Sequence, residues 1–244
     1  MIDKFKIIFL ALIIILSFHQ LNSQEPLMNR SNATNHTWLQ KLSFYDINID
    51  GSPYLNENFK DGTVILDSLS QYSGKIRIDA YAQKFQTLNK SGQIFEIVVD
   101  SDDMVEINNN IYRIHEFKDE KLGDFGILRE CVVLDNVSLY YNPRKKLKKP
   151  IEAGRTVANS GYGKTTNPEW VDDSAYILHF KDKYVKLVMT HKKIIDLNLV
   201  KEDSYKSFRK KNKINLKSEE DLIKLTHFFN RSEEHTSELQ SPVT

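Results

Sequence analysis

The chain has 244 residues, with 34 Lys and Arg against 33 Asp and Glu, a net charge of +1 and one cysteine. A balance this close to neutral gives no electrostatic attraction for nucleic acid or for a strongly anionic surface, and a single cysteine excludes an internal disulfide. With both ends set aside, about 200 residues remain, enough for one hydrophobic core and hence one domain.

Lys4 and Lys6 precede an apolar stretch from Ile7 to Phe18, and a polar stretch, HQLNSQEP, follows. A basic start, a short apolar core and a polar exit are the layout of a secretory signal peptide. A helix over that core is about 18 Å long, short of the ~30 Å hydrocarbon layer. Cleavage after Ser23 is therefore expected, leaving Gln24 first and no stable membrane span. No cysteine lies near the site, which excludes a lipoprotein anchor. Residues 24–41 open polar and Asn-rich and are expected to form a disordered leader.

Residues 42–230 are expected to form a single, mainly β domain. TVILD (63–67) is a short apolar run. KIRIDAYA (75–82) alternates, with Ile76, Ile78 and Ala80 on one face and Lys75, Arg77 and Asp79 on the other. QIFEIVVD (93–100) follows the turn signal NKSG. MVEI and IYRIHEF flank Asn108 to Asn110, and asparagine tolerates the positive φ of a tight hairpin. ILRECVVL and VSLYY flank Asp135 and Asn136; AYILHF and YVKLVM flank Lys181 to Lys183. Short hairpins force antiparallel pairing. The expected fold is an antiparallel meander of about eight to ten strands, as a sandwich or open barrel.

The period changes after Thr190. HKKIIDLNL suggests a helical turn, and DSYKSFRKK (203–211) opens on good capping residues. SEEDLIKLTHFF gives the clearest helix. Ser218 and Asp221 have the spacing of a capping box, and Leu222, Leu225 and Phe229 form one stripe for the core.

One motif raises a metal. Asp46 to Glu57 reads D-x-N-x-D-G-x₅-E, the calcium-loop pattern, with Asp46, Asn48, Asp50 and Glu57 as the oxygen donors. An EF-hand needs a helix leaving the loop, and NFKDGTVILD instead contains Gly62 and a β-run. The motif also stands alone in the chain. A strand entering a Gly-Ser-Pro turn is the reading its surroundings favour, so no metal or cofactor is expected. ANSGYGKTT (158–166) resembles the end of a P-loop, but Ala158 replaces the first glycine and Pro168 blocks the following helix. RKKLKK (144–149) is expected to be a solvated strand end, and Cys131 a small buried hydrophobe. His115, His179, His191 and His227 show no metal spacing. Trp38 and Trp170 are expected in core or edge packing rather than in a sugar-stacking surface.

Arg231 to Ser241, RSEEHTSELQS, resembles the translation of a common sequencing adapter, codon by codon. Residues 231–244 are accordingly expected to be an artefactual tail. GSPYLNENF with GTV (51–64), IRIDAYAQKFQ, INNNIYRI and FRKKNKINLKSEEDLIKLTHFFN together resemble a group of uncharacterised exported β-rich proteins of flavobacteria-like bacteria. The resemblance implies an exported β protein with its Asp-Leu-Ile-Lys-Leu helix near the end, and it carries over no activity. The expected role is a non-enzymatic structural or binding module in the periplasm, at the outer surface or secreted. Its partner would be an envelope or extracellular component. The alternative is a hydrolase of an envelope polymer with a site assembled in space, for which a cleft holding two or more carboxylates, or a Ser–His pair, would speak.

Overall fold

The computed structural model describes residues 39–41, 49–66, 70–119, 123–149 and 167–238. Residues 1–38, where the signal peptide and most of the leader are expected, Asp46, Asn48, the 158–166 stretch and the last six residues lie outside the described residues.

The described strands are β1 (Leu39–Lys41), β2 (Lys60–Leu66), β3 (Ser70–Asp79), β4 (Lys84–Leu88), β5 (Ile94–Ile97), β6 (Met104–Ile107) and β7 (Asn110–Asp119). They continue with β8 (Gly123–Val132), β9 (Val137–Asn142), β10 (Lys145–Lys148), β11 (Glu169–Asp172), β12 (Ala175–Phe180) and β13 (Lys183–Lys186). Eleven form one sheet in the order β1-β5-β4-β3-β2-β6-β7-β8-β9-β12-β13, and β10 and β11 form a separate ribbon. The fold is mainly β, antiparallel and open, as the hairpin signals predict. Short runs such as KFQTL (β4) and EWVD (β11) are too brief to show a period in the sequence, and they raise the strand number above ten. β1 pairs with β5, so the last three residues of the stretch expected as leader belong to the sheet.

The chain is not one continuous meander. β2 to β5 run as one, but β6 pairs with the other edge of β2, and a second meander proceeds from there. The turn before β6 is fixed by Asp103, whose carboxylate accepts from the Asp100 N–H at 2.7 Å. Asn108 and Asn109 have φ of 49° and 62°, and Lys181 and Asp182 have φ of 47° and 57°. These are two-residue hairpins whose handedness matches the strand twist. The β8–β9 turn is longer than the two residues expected. It leaves Val132 paired with Leu139, with a register shift after Glu130, and Ser138 Oγ ties it by bonding both the N–H and the carbonyl of Leu134 at 3.2 Å.

Successive residues of a strand face opposite sides, and the cores sort accordingly. Ile76, Ile78 and Ala80 are all buried, as their alternation predicts. Val64, Ile76, Ile78, Phe85, Ile97 and Ile127 belong to one core on the first face. Further along the same face, Leu139 and Leu178 meet the helices. Leu128, Tyr140 and Ile177, each one residue out of step, build a small core with Phe117 on the opposite face. The sheet curls around that core until its last strand, β13, lies against β7.

Three helices follow: α1 (His191–Ile195), α2 (Glu202–Asn212) and α3 (Glu219–Glu238). α2 begins at Lys201, which makes no side-chain cap. Asp203, expected to cap it, lies instead in the first turn beside Glu202, where negative charge suits the helix dipole. On α3, Leu222, Leu225 and Phe229 are each at most 2 % exposed. Burying side chains of this size stabilises by about 1.5–3 kcal/mol each. Half of the expected capping box forms: the Asp221 N–H donates to Ser218 Oγ at 3.4 Å. The Asp221 carboxylate turns instead to the Asn215 N–H at 3.0 Å and to Lys224 at 2.8 Å. α3 also runs past Asn230, the expected domain end, to Glu238; RSEEHTSE contains neither Gly nor Pro to stop it.

Candidate functional site

The described part of the calcium-like loop, residues 49–57, is used as β scaffold. Asp50 forms an isolated parallel bridge with Glu169, accepting from the Trp170 N–H at 2.8 Å while its own N–H donates to Pro168 at 2.9 Å. Gly51 has φ +81°, and a Cβ there would lie 3.2 Å from the Trp170 carbonyl oxygen, so the turn requires glycine. The Pro53 carbonyl accepts from Ala80 at 2.9 Å, and the Leu55 N–H donates to Ile78 at 3.0 Å, extending the pairing along β3. Glu57 is exposed, and its carbonyl accepts from Arg77 at 3.2 Å. The chain then enters β2 and not a helix. Among the described residues no three His, Cys, Asp or Glu side chains are placed to hold a metal ion.

Three of the lysines in the basic run face acids across the β10–β11 ribbon. Lys145 lies 3.8 Å from Asp172, Lys146 2.7 Å from Asp173 and Lys148 3.7 Å from Glu169. That is a solvated, self-neutralised ribbon. Trp170 is 7 % exposed and packs beneath Tyr81, with ring centroids 4.4 Å apart. It presents little face to a sugar.

Cys131 is half-buried, and burial pushes its thiol up to about 12, which keeps it protonated and poorly nucleophilic. Three polar clusters, none visible as a sequence motif, lie around it and beyond. In the first, Arg129 on β8 binds both carboxylate oxygens of Glu219 on α3, one of them at 3.1 Å, and Tyr176 donates to the same carboxylate at 2.8 Å. Burial alone would raise the Glu219 pKa, but the Arg129 and Tyr176 bonds outweigh it and hold it below the usual carboxylate range. Burial and the neighbouring carboxylate push the Tyr176 phenol up.

In the second, Gln83, at φ 56° and 6 % exposed, joins two hairpins. It donates to the carbonyls of Ala80 at 2.8 Å and Pro143 at 2.7 Å. It accepts from the Ile127 N–H at 2.9 Å and from Asn142 at 3.1 Å. Four bonds satisfy its amide completely. Nearby, the buried Asp79 carboxylate accepts from the Tyr81 and Ala82 N–H groups at 3.1 and 2.8 Å and from Gln86 at 3.3 Å.

The third cluster lies on the opposite face. His115 Nδ1 and the Tyr184 hydroxyl are hydrogen-bonded at 2.8 Å. The Tyr184 ring stacks on His179 at 4.4 Å and meets Phe117 edge-on at 5.3 Å. His115 Nε2 is buried and has no hydrogen-bond partner among the described residues. His191 bonds Tyr205 at 2.6 Å, and His227 is exposed. No two of these histidines were tied together by spacing, and the partners of His115 and Arg129 lie 69 and 90 residues away. Alternation places His115 on the face of Phe117, which is the one signal the sequence offered.

One cleft of about 510 Å³ opens between the β5–β6 connection and the outer part of β7 and β8. Asp100, Glu116 and Asp124 line it together with Ile114, Phe117 and Phe125. All three carboxylates are exposed, as is Phe125 at 46 %. Arg144 reaches the adjoining backbone, donating to the Phe125 carbonyl at 3.1 Å.

No family model matches the chain, and comparison with curated proteins and with solved structures finds no match.

Proposed function

We propose that the protein is an exported module of the cell envelope or extracellular space that works by binding or by structure rather than by catalysis. The observation that carries this reading is the use made of the polar interior. Each cluster braces one element against another: Arg129–Glu219 holds α3 to β8, Gln83 holds the β3–β4 turn to β8 and β9, and His115–Tyr184 holds β13 to β7. The thiol that would serve as a nucleophile is held protonated. Export is supported by the layout of the first residues, and a near-neutral charge argues against nucleic acid as a partner.

The cleft with Asp100, Glu116 and Asp124 favours a second reading, a hydrolase of an envelope or extracellular polymer. Paired carboxylates can supply an acid and a base or nucleophile. That chemistry needs two carboxyls in contrasting surroundings, whereas these three all face solvent on an open rim. Incubating the mature protein with isolated envelope polysaccharide and peptidoglycan separates the readings. The first predicts retention of protein on one of these materials without release of soluble fragments. Fragment release that disappears in the Glu116→Gln/Asp124→Asn double variant would establish the second.

A further inference from the structure

β13 is the last strand of the sheet, paired on one side with β12 and with no strand partner on the other among the described residues. Its position against β7 comes from the sheet's curl, and Tyr184 makes the contact. The phenol bonds His115 at 2.8 Å, and the ring sits among His115, His179, Phe117 and Tyr140. We propose that the His115–Tyr184 contact is an acid-released latch: when His115 takes a proton, β13 lifts from β7 and uncovers the apolar face formed by Phe117, Leu128, Tyr140 and Ile177.

The surroundings of the ring carry the argument. A neutral imidazole bonded through Nδ1 leaves only an uncharged Nε2 unpaired, which costs far less than burying an unpaired charge. An imidazolium has two N–H donors. Tyr184 can accept from one, but Nε2 is buried without an acceptor among the described residues. The charged neighbours offer no relief. Arg113 shares the face of β7, and the Glu130 carboxylate on β8 is already engaged by Arg113 Nε at 2.9 Å. On β12 the nearest titratable group is His179, itself stacked on Tyr184. On β13 Lys186 shares the face of Tyr184 and lies 3.9 Å from Asp173. Burial pushes the phenols of Tyr140 and Tyr184 up, so neither is ionised to compensate. Burial first, then His179 and Arg113, lower His115 from 6.5 to about 4.

The sign follows from linkage. A group whose pKa is lowered in the closed state binds protons better when open, so closure is favoured at neutral pH and weakens as pH falls from 6.5 toward 4. β13 keeps its ladder to β12, so the motion is an uncurling of the sheet edge and not an unfolding. The inference holds whatever ligand the protein takes.

NMR of the intact mature protein tests it. The His115 ring should bind a proton roughly a hundredfold or more weakly than a free imidazole. Cross-peaks between the Tyr184 and Phe117 rings should vanish in step with its titration, while those between Phe85 and Ile97 in the first core persist. His115→Gln, which cannot titrate, should keep the Tyr184 cross-peaks down to pH 4. Should that variant fail to fold, Tyr184→Phe removes only the bond and should release the edge at a higher pH than wild type. Cross-peaks that survive His115 protonation, simultaneous loss in both cores, equal loss in His115→Gln, release of Tyr184→Phe at no higher pH than wild type, or a His115 titration near 6.5 would each overturn the latch.

Discussion

Asn230 near the middle of α3 is fastened to Val137 at the start of β9. Its side-chain oxygen accepts from the Val137 N–H at 3.2 Å and from the Asn136 N–H at 2.9 Å. Asn230 is 8 % exposed and Val137 is 1 % exposed, so the Val137 N–H has the amide and little water to turn to. The β8–β9 turn thus draws two of its hydrogen bonds from the helix, and the same bonds fix the helix against the turn. Asn230→Ala is expected to cost about 1–3 kcal/mol, the cost of leaving a buried donor unmet. Urea unfolding, with the slope unchanged, measures it.

The apolar stripe of α3 should matter more. Leu225 is 2 % exposed in the core shared with Leu139 and Leu178. Leu225→Ala is expected to cost about 2–5 kcal/mol, a large share of a typical total of about 5–15 kcal/mol. Truncation after Ser232 should stay within about 0.5 kcal/mol of the full chain, the range for neutral changes, since residues beyond it are expected to be translated adapter with nothing selected to pack. Thermal melts of the two variants check both; a neutral Leu225→Ala beside a destabilising truncation would mean that the helix is anchored by its far end.

Glu219 gives the stability curve an acidic component. Its pKa is held below the carboxylate value of 4.5 by Arg129 and Tyr176. The stabilisation from the ionised group is therefore present above that value and is lost as pH falls through the lowered one. Glu219→Gln should flatten stability against pH below about 4.5 and leave in place the step below 6.5, to which His115 and His191 both contribute. A double-mutant cycle with Arg129→Met should give a coupling of roughly 0.5–3 kcal/mol. Denaturation midpoints at a series of pH values report both quantities.

Local structure was legible and long-range structure was not, for one physical reason. The alternation of Ile76, Ile78 and Ala80, the Asn108–Asn109 turn and the Leu222–Leu225–Phe229 stripe each depend on residues close in sequence, and all three appear as read. The pairing of β2 with β6 joins the edge of β2 that the β2–β5 meander leaves open, which no local pattern encodes. The same holds for the clusters. Arg129 and Glu219 meet only because α3 packs across β8 and β9, and His115 meets Tyr184 only because the sheet curls. The calcium pattern is the opposite case: its spacing is local, its surroundings favour a turn, and in the structure the Asp50 backbone pairs with Trp170 while Gly51 is held by the turn it must make.

That last point has a direct check. A calcium site saturated at a hundred times its Kd would add about 2.7 kcal/mol. The melting temperature is expected to be the same in EDTA and in millimolar calcium, since Asp50 serves a backbone bridge and Glu57 lies exposed before β2. A rise in calcium that Asp50→Ala abolishes would restore the metal.

Export of the protein is checked by intact mass spectrometry of the chain recovered from fractionated cells. A species beginning at Gln24 is expected in the periplasmic, outer-surface or medium fraction and not in the cytoplasm. A chain retaining Met1 through Ser23 and confined to the cytoplasmic fraction would contradict it.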